Sequence, residues 1–263
     1  MKVKVVIILI LLIEAASGVS AERVTFKGTG TTASGDPFIL TGKLTKPQGD
    51  GPFPALVCLH GCGGISKRDD HWVETLSNWG YVALQVDSFG PRGRSNVCTD
   101  IKLIPPEIRA QDAYDAKAFL AGFPFVNKDK IAVMGWSHGG WTTIYTISPK
   151  ITIENKLDPF RAAIAFYPYC DLPLSKLDAP LLILIGEYDD WTPARMCSQM
   201  MAFRKATDKI ILKTYPKVYH NFDAEGTDGY VQSARDRHRL LYNSEATADA
   251  TFRVKEFLGE YLK

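Results

Sequence analysis

Residues 131–140 read IAVMGWSHGG. The first four, Ile131, Ala132, Val133 and Met134, are apolar and suit a short strand buried on both faces. Gly135, Ser137 and Gly139 follow at the spacing G-x-S-x-G, and WTTIYTI then continues as a helix. A strand that must turn at once into a helix needs a tight bend. Glycine two positions either side of the serine removes the β-carbons that would collide there. Such a serine is either an ordinary turn residue or a nucleophile lifted clear of the sheet. The strand before it and the helix after it favour the nucleophile.

A serine hydroxyl attacks a carbonyl only when a base takes its proton and a carboxylate holds that base. Both partners are available downstream, each after an apolar strand. LLILI (181–185) leads into Gly186-Glu187-Tyr188-Asp189-Asp190-Trp191-Thr192-Pro193, where Asp189 and Asp190 both qualify as the acid. IILKTYP (210–216) leads into Lys217-Val218-Tyr219-His220, the candidate base. The order Ser, Asp, His at three strand ends is that of an α/β-hydrolase triad.

The remaining chain supplies a frame for those ends. Strands are expected at Arg23–Lys27 and Phe38–Leu44, as an antiparallel pair, then at Ala55–Leu59 and Tyr81–Val86, and further at Arg161–Tyr167, Leu181–Ile185 and Lys209–Tyr215. Helices are expected over Asp69–Asn78, from Pro106 towards Phe119 with Ile108, Ala113, Ala116 and Leu120 on its apolar face, over Pro193–Ala206, and over Thr247–Leu262. Strands alternating with helices predict an α/β fold: a mostly parallel, doubly wound sheet with helices on both faces. No repeat, low-complexity tract or linker divides residues 22–263, which read as one domain. The composition, 46% hydrophobic with a net charge of +2, asks for neither nucleic acid nor an anionic membrane.

Residues 1–21 read as a signal peptide. Lys2 and Lys4 precede nine unbroken apolar residues, Val5–Ile13, and Val19-Ser20-Ala21 offers small residues before a cut near Ala21. Nine residues fall short of the ~20 that span a bilayer as a helix. Export to the periplasm or medium makes the five cysteines informative. Cys58 lies inside the apolar run ALVCL and is expected to be a free buried thiol. Cys62 is paired with Cys98, and Cys170 with Cys197, because each pair joins loops that follow different strands at one end of the sheet. No second Cys/His pair completes a metal site with Cys58, His60 and Cys62, so neither metal nor cofactor is expected.

Taken together, HGCGG (60–64), DSFGPRG (87–93), GWSHGG (135–140), GEYDDWTP (186–193) and YPKVYHNFD (215–223) resemble the dienelactone hydrolase family of α/β-hydrolases. The resemblance implies Ser137 as nucleophile, His220 as base and, by its place before Pro193, Asp189 rather than Asp190 as acid. Serine stands where many members of that family carry cysteine, which points away from dienelactone and towards general esters, with lactones as an option. The oxyanion hole would use the backbone N–H groups of Cys62 and His138, each donor typically worth about 3 kcal/mol. Arg92 is a candidate for a substrate carboxylate, and Trp136 and Trp191 flank the site. His60 is expected to be a packed loop anchor, and His71 and His238 to lie on solvated helix faces. The partner is a small ester or lactone; a peptidase or a non-catalytic binding protein on the same scaffold is the alternative.

Overall fold

The computed structural model describes residues 20–172, 176–204 and 208–263. Residues 1–19, most of the expected signal peptide, lie outside the described residues, as do the last positions of the helix expected to reach Ala206. The chain opens with β1 (Ser20–Thr31) and β2 (Pro37–Lys46), an antiparallel pair longer than the sequence suggested. There follow β3 (Phe53–Leu59), α1 (Lys67–Asn78) and β4 (Val82–Asp87). A long loop with two short 3-10 turns, Gly90–Arg92 and Ile101–Leu103, leads to α2 (Pro106–Ala121). Then come β5 (Val126–Trp136), α3 (His138–Thr146), α4 (Pro149–Glu154), β6 (Ala163–Phe166) and β7 (Leu181–Gly186). The chain closes with α5 (Ala194–Ala202), β8 (Ile210–Tyr215), β9 (Asp228–Gln232), β10 (Arg237–Leu241) and α6 (Ser244–Leu262).

Eight strands form one sheet in the order β1-β2-β4-β3-β5-β6-β7-β8. β2 runs antiparallel to both neighbours, and every pairing from β4 to β8 is parallel. Helices cover both faces: α2 packs on α3, and Lys255 of α6 reaches over Trp79, the residue that ends α1. Strands buried on both sides need continuous apolar runs, which is why ALVCL, IAVM, AIAF and LLILI are readable, with VALQV interrupted only by the buried Gln85. All six residues of β7 are buried. Register then brings the ends of β3, β5, β7 and β8 to one side, where ligands bind in open α/β sheets.

Several expectations are corrected. Ile108 does not belong to the buried face of α2: it is exposed, and Arg109, Asp112 and Lys117 are buried there beside the alanines. The stretch around His238 is not a solvated helix face but strand β10 of a two-stranded hairpin with β9, and His238 is buried. α4 was not foreseen. His71 does lie exposed on α1. Among the described residues, no helix is long and apolar enough to cross a membrane.

Both disulfides form as expected, Cys62–Cys98 and Cys170–Cys197, and Cys58 is free and buried in β3. Burial pushes the Cys58 thiol well above its ordinary pKa. Ellman's reagent should therefore find no thiol in the native protein and one per chain after denaturation without reductant. Three or more thiols in the denatured sample would contradict the two bridges.

Candidate active site

The bend after β5 places its positive φ on the serine, not on Gly135 or Gly139. Ser137 itself adopts φ 53° and ψ −113°, a conformation that side chains rarely take and that neighbouring packing must hold. The glycines make that packing close. A Cβ on Gly135 would lie 2.3 Å from the Gly139 carbonyl oxygen, and one on Gly139 would lie 1.9 Å from that of Leu59. The helix thus starts in contact with the end of β3. Gly139→Ala should cost on the order of 4 kcal/mol or more, the range of mutations that force backbone apart. That appears as a fall of about 10 °C in Tm or as insoluble protein; a Tm within about 2 °C of wild type would contradict the packing.

Ser137 Oγ lies 2.9 Å from His220 Nε2, and His220 Nδ1 lies 2.7 Å from Asp189 Oδ2. His220 and Asp189 are nearly inaccessible, whereas Ser137 keeps 9% exposure, so the hydroxyl is the group of the three that solvent reaches most readily. Asp189 is held from its other side as well. Its Oδ1 accepts the N–H groups of Trp191 at 3.0 Å and Thr192 at 2.8 Å. The Thr192 hydroxyl lies 2.9 Å from Oδ2 and 3.0 Å from the Tyr167 carbonyl. Asp190 points elsewhere, accepting the Arg239 N–H at 3.2 Å and approaching His238 Nδ1 at 3.5 Å. The side chain that meets His220 is Asp189.

Aromatic rings fix the imidazole laterally. Tyr167 packs on His220 with centroids 4.5 Å apart and Trp191 at 5.1 Å; Trp191 in turn stacks flat on His238. Tyr167, whose φ is 35°, is anchored through its hydroxyl. That hydroxyl donates to Asp223 Oδ1 at 2.6 Å and accepts from Arg68 at 2.9 Å. Asp223 Oδ2 also accepts the indole N–H of Trp72 and of Trp136. Burial holds the Tyr167 phenol well above its ordinary pKa, so it stays a proton donor. Sequence reasoning missed this network, although Asp223 stands three residues after His220 in the quoted motif.

Two proposed substrate contacts are corrected by their surroundings. Arg92 is committed to Asp112 through two bonds of 2.8 Å, donates to the Ser88 carbonyl and covers the Phe38 ring. Trp136 is fully buried behind the serine, bonded to Asp223, and lines no opening. Trp191 remains partly exposed beside His220 and packs on the small cluster of Cys62, Phe89, Val97, Cys98 and Ile104. His60 is buried, its ring bonded at the Gly61 carbonyl and the Ser88 N–H, and burial lowers its pKa.

The loop 60–64 and the start of α3 border Ser137. Gly61 lies against it: a Cβ there would be 3.7 Å from the Ser137 Cβ. The Cys62 carbonyl accepts the Val97 N–H at 2.8 Å, and the Cys62–Cys98 bridge makes a second tie to the same loop. His138 is the first residue of α3, so its N–H has no acceptor within the helix. Among the described residues, no group of three or more His, Cys, Asp or Glu is arranged to hold a metal ion.

The sequence profile of the dienelactone hydrolase family matches residues 40–262. Among curated proteins, dipeptidyl peptidase family member 2 of Caenorhabditis elegans is 30% identical over 158 residues, covering 51% of this chain and 18% of that protein. The chain spans about a fifth of the length of the first curated relatives it matches. Among solved structures, a dienelactone hydrolase-like promiscuous phosphotriesterase from metagenomic libraries superposes with a TM-score of 0.71 at 19% identity, covering 94% of this chain and 100% of that one. The dienelactone hydrolase of Anabaena variabilis gives 0.67 at 18% identity, with 94% and 100% covered. These likenesses identify the sheet as an α/β-hydrolase fold.

Proposed function

The chain belongs to the dienelactone hydrolase family, and we propose that it is an exported serine hydrolase that cleaves carboxylic esters, lactones included, through an acyl-enzyme. The observation that carries this reading is the continuous line Ser137 Oγ–His220 Nε2 and His220 Nδ1–Asp189 Oδ2 at 2.9 and 2.7 Å. Ser137 Oγ attacks the ester carbonyl carbon while His220 Nε2 takes its proton, and the carbonyl electron pair moves onto oxygen. The Cys62 and His138 N–H groups receive that oxyanion. Collapse returns the pair, expels the alkoxide leaving group with the proton from His220, and leaves an acyl-serine. Water, deprotonated by the same nitrogen, repeats the sequence and releases the acid. Asp189 keeps the Nδ1 proton in place and stabilises the imidazolium between steps.

Export rests on the basic-apolar-small pattern of residues 1–21 and on two disulfides, which persist in oxidising compartments. Residues 22–263 act as one domain in this proposal. The nematode relative and its dipeptidyl peptidase name favour a second reading, cleavage of peptides on the same scaffold.

A substrate panel separates the readings. The protein lacking residues 1–21 is assayed with p-nitrophenyl acetate and butyrate, a five-membered lactone, and dipeptidyl p-nitroanilides. The ester reading expects kcat/KM at least 100-fold higher on the best ester or lactone than on any anilide. The reverse preference would make it a peptidase. Turnover of neither by the folded protein would leave the non-catalytic binding reading.

A further inference from the structure

Arg109 is fully buried on α2, a position about which the sequence carried no expectation. Among the described residues no carboxylate hydrogen-bonds to it: Asp112, one turn along, is taken up by Arg92. Its terminal nitrogens go to two separate chain segments. Nη2 donates to the His60 carbonyl at 2.8 Å, and Nη1 donates to His138 Nδ1 at 2.9 Å. The Phe89 ring lies 5.0 Å from the guanidinium carbon. Burial lowers the Arg109 pKa to about 10, which leaves the group charged at neutral pH. Burial, with the Arg109 charge beside it, lowers His138 to about 3, so its ring is neutral and accepts through Nδ1.

The two bonded segments are those that border the serine. His60 begins the turn HGCGG after β3, and His138 follows Ser137 after β5. Their N–H groups come from different strands, yet to stabilise one oxyanion they must converge with an accuracy of about 0.5 Å. The His60 carbonyl is also where the segments touch, since a Cβ on Gly139 would lie 2.7 Å from its oxygen. A planar guanidinium with donors in a fixed fork suits such a bridge in a way that an ammonium on a flexible stem does not.

We propose that Arg109 is a positioning residue for the oxyanion hole: one guanidinium ties the turn carrying the Cys62 N–H to the residue supplying the His138 N–H and fixes their separation. This rests on the serine-hydrolase reading of the site. Arg109 touches no substrate in this account and acts through the two donors.

The test compares wild type with Arg109→Met and Arg109→Lys on p-nitrophenyl acetate, with active sites counted by complete fluorophosphonate labelling. In Arg109→Met, kcat per active site should fall about 30–100-fold, towards the loss seen when one oxyanion donor is removed, with KM within about threefold. Arg109→Lys should stay at least tenfold impaired, because a single ammonium cannot hold both partners. The Ki of a trifluoromethyl ketone should rise in step with the loss in kcat/KM, and the pH profile of kcat should not move. A merely structural arginine would lower Tm while leaving kcat per active site within threefold of wild type, and that result overturns the proposal. Full activity in Arg109→Lys overturns it too.

If neither variant folds, the crystal structure of wild type phosphonylated on Ser137 decides. The phosphoryl oxygen should accept from the Cys62 and His138 N–H groups with both Arg109 bonds kept. An adduct in which Arg109 has released either partner overturns the proposal. Failure of the underlying reading looks different: wild type itself then neither labels nor turns over ester, and this inference falls with it.

Discussion

Ser137→Ala should lower kcat/KM on the best ester by at least about 10⁴-fold while the protein keeps its fold. Removing the nucleophile of a serine triad costs up to about 10⁶ in kcat, and what survives comes from the oxyanion hole and binding. Alanine replaces one oxygen at a position where the strained backbone already carries a side chain, so Tm should stay within a few degrees. Relief of the Ser137–His220 hydrogen bond removes only about 1 kcal/mol. Measuring kcat/KM and Tm on the same preparation keeps the two effects apart. A variant retaining more than a tenth of wild-type activity would place the nucleophile elsewhere.

Asp189→Asn is the second large effect, and the hydrogen bonds around the carboxylate say why. Oδ1 accepts two backbone N–H groups, from Trp191 and Thr192, so an asparagine must keep its carbonyl oxygen there. Its amide NH₂ then faces His220 Nδ1 and donates to it. The imidazole is forced to carry its proton on Nε2, where it can no longer take one from Ser137. A wrong-tautomer block of this kind costs about 10⁴-fold in kcat. Asp190→Asn should change kcat less than about threefold, because its partners are the Arg239 N–H and His238 on the β9–β10 hairpin. Equal losses in the two variants, or the larger loss at Asp190, would contradict the assignment of the acid.

What the sequence made readable divides along physical lines. Strands buried on both faces announce themselves as apolar runs, so β3, the end of β5, β6 and β7 needed no structure. The elbow was readable because Gly135 and Gly139 answer a steric demand that the contact of α3 with β3 makes explicit. Both disulfides followed from loops meeting at one end of the sheet. Asp189 and Asp190 could not be separated by spacing, since the choice depends on which side chain the turn after β7 directs at His220. The family resemblance chose Asp189, and it is Asp189 that stands 2.7 Å from the imidazole.

The failures share a cause. RDRHRLL opens with five consecutive charged or ionisable residues, Arg235 to Arg239, and shows no alternation, so nothing local marks it as a strand. His238 is its one buried residue, covered by Trp191, nearly fifty residues earlier, which stacks on its ring. Arg92 reads in sequence as a candidate for a substrate carboxylate and Arg109 carries no expectation, but tertiary partners claim both. Trp136 was assigned to the pocket by adjacency to Ser137, whereas successive strand residues face opposite sides of the sheet and this one turns into the layer of Trp72 and Phe166. Buried polar groups are the hardest to foresee, because their partners are set by the fold rather than by the neighbours in the chain.

The central claim is that Ser137 is an activated nucleophile, and covalent labelling tests it most directly. The protein lacking residues 1–21 is treated with a fluorophosphonate, digested, and mapped by mass spectrometry, native and heat-denatured in parallel. The account predicts one phosphonyl group per native chain, on the peptide containing Ser137, and none after denaturation. A folded protein that takes up no label, or that carries it on another residue, would contradict it.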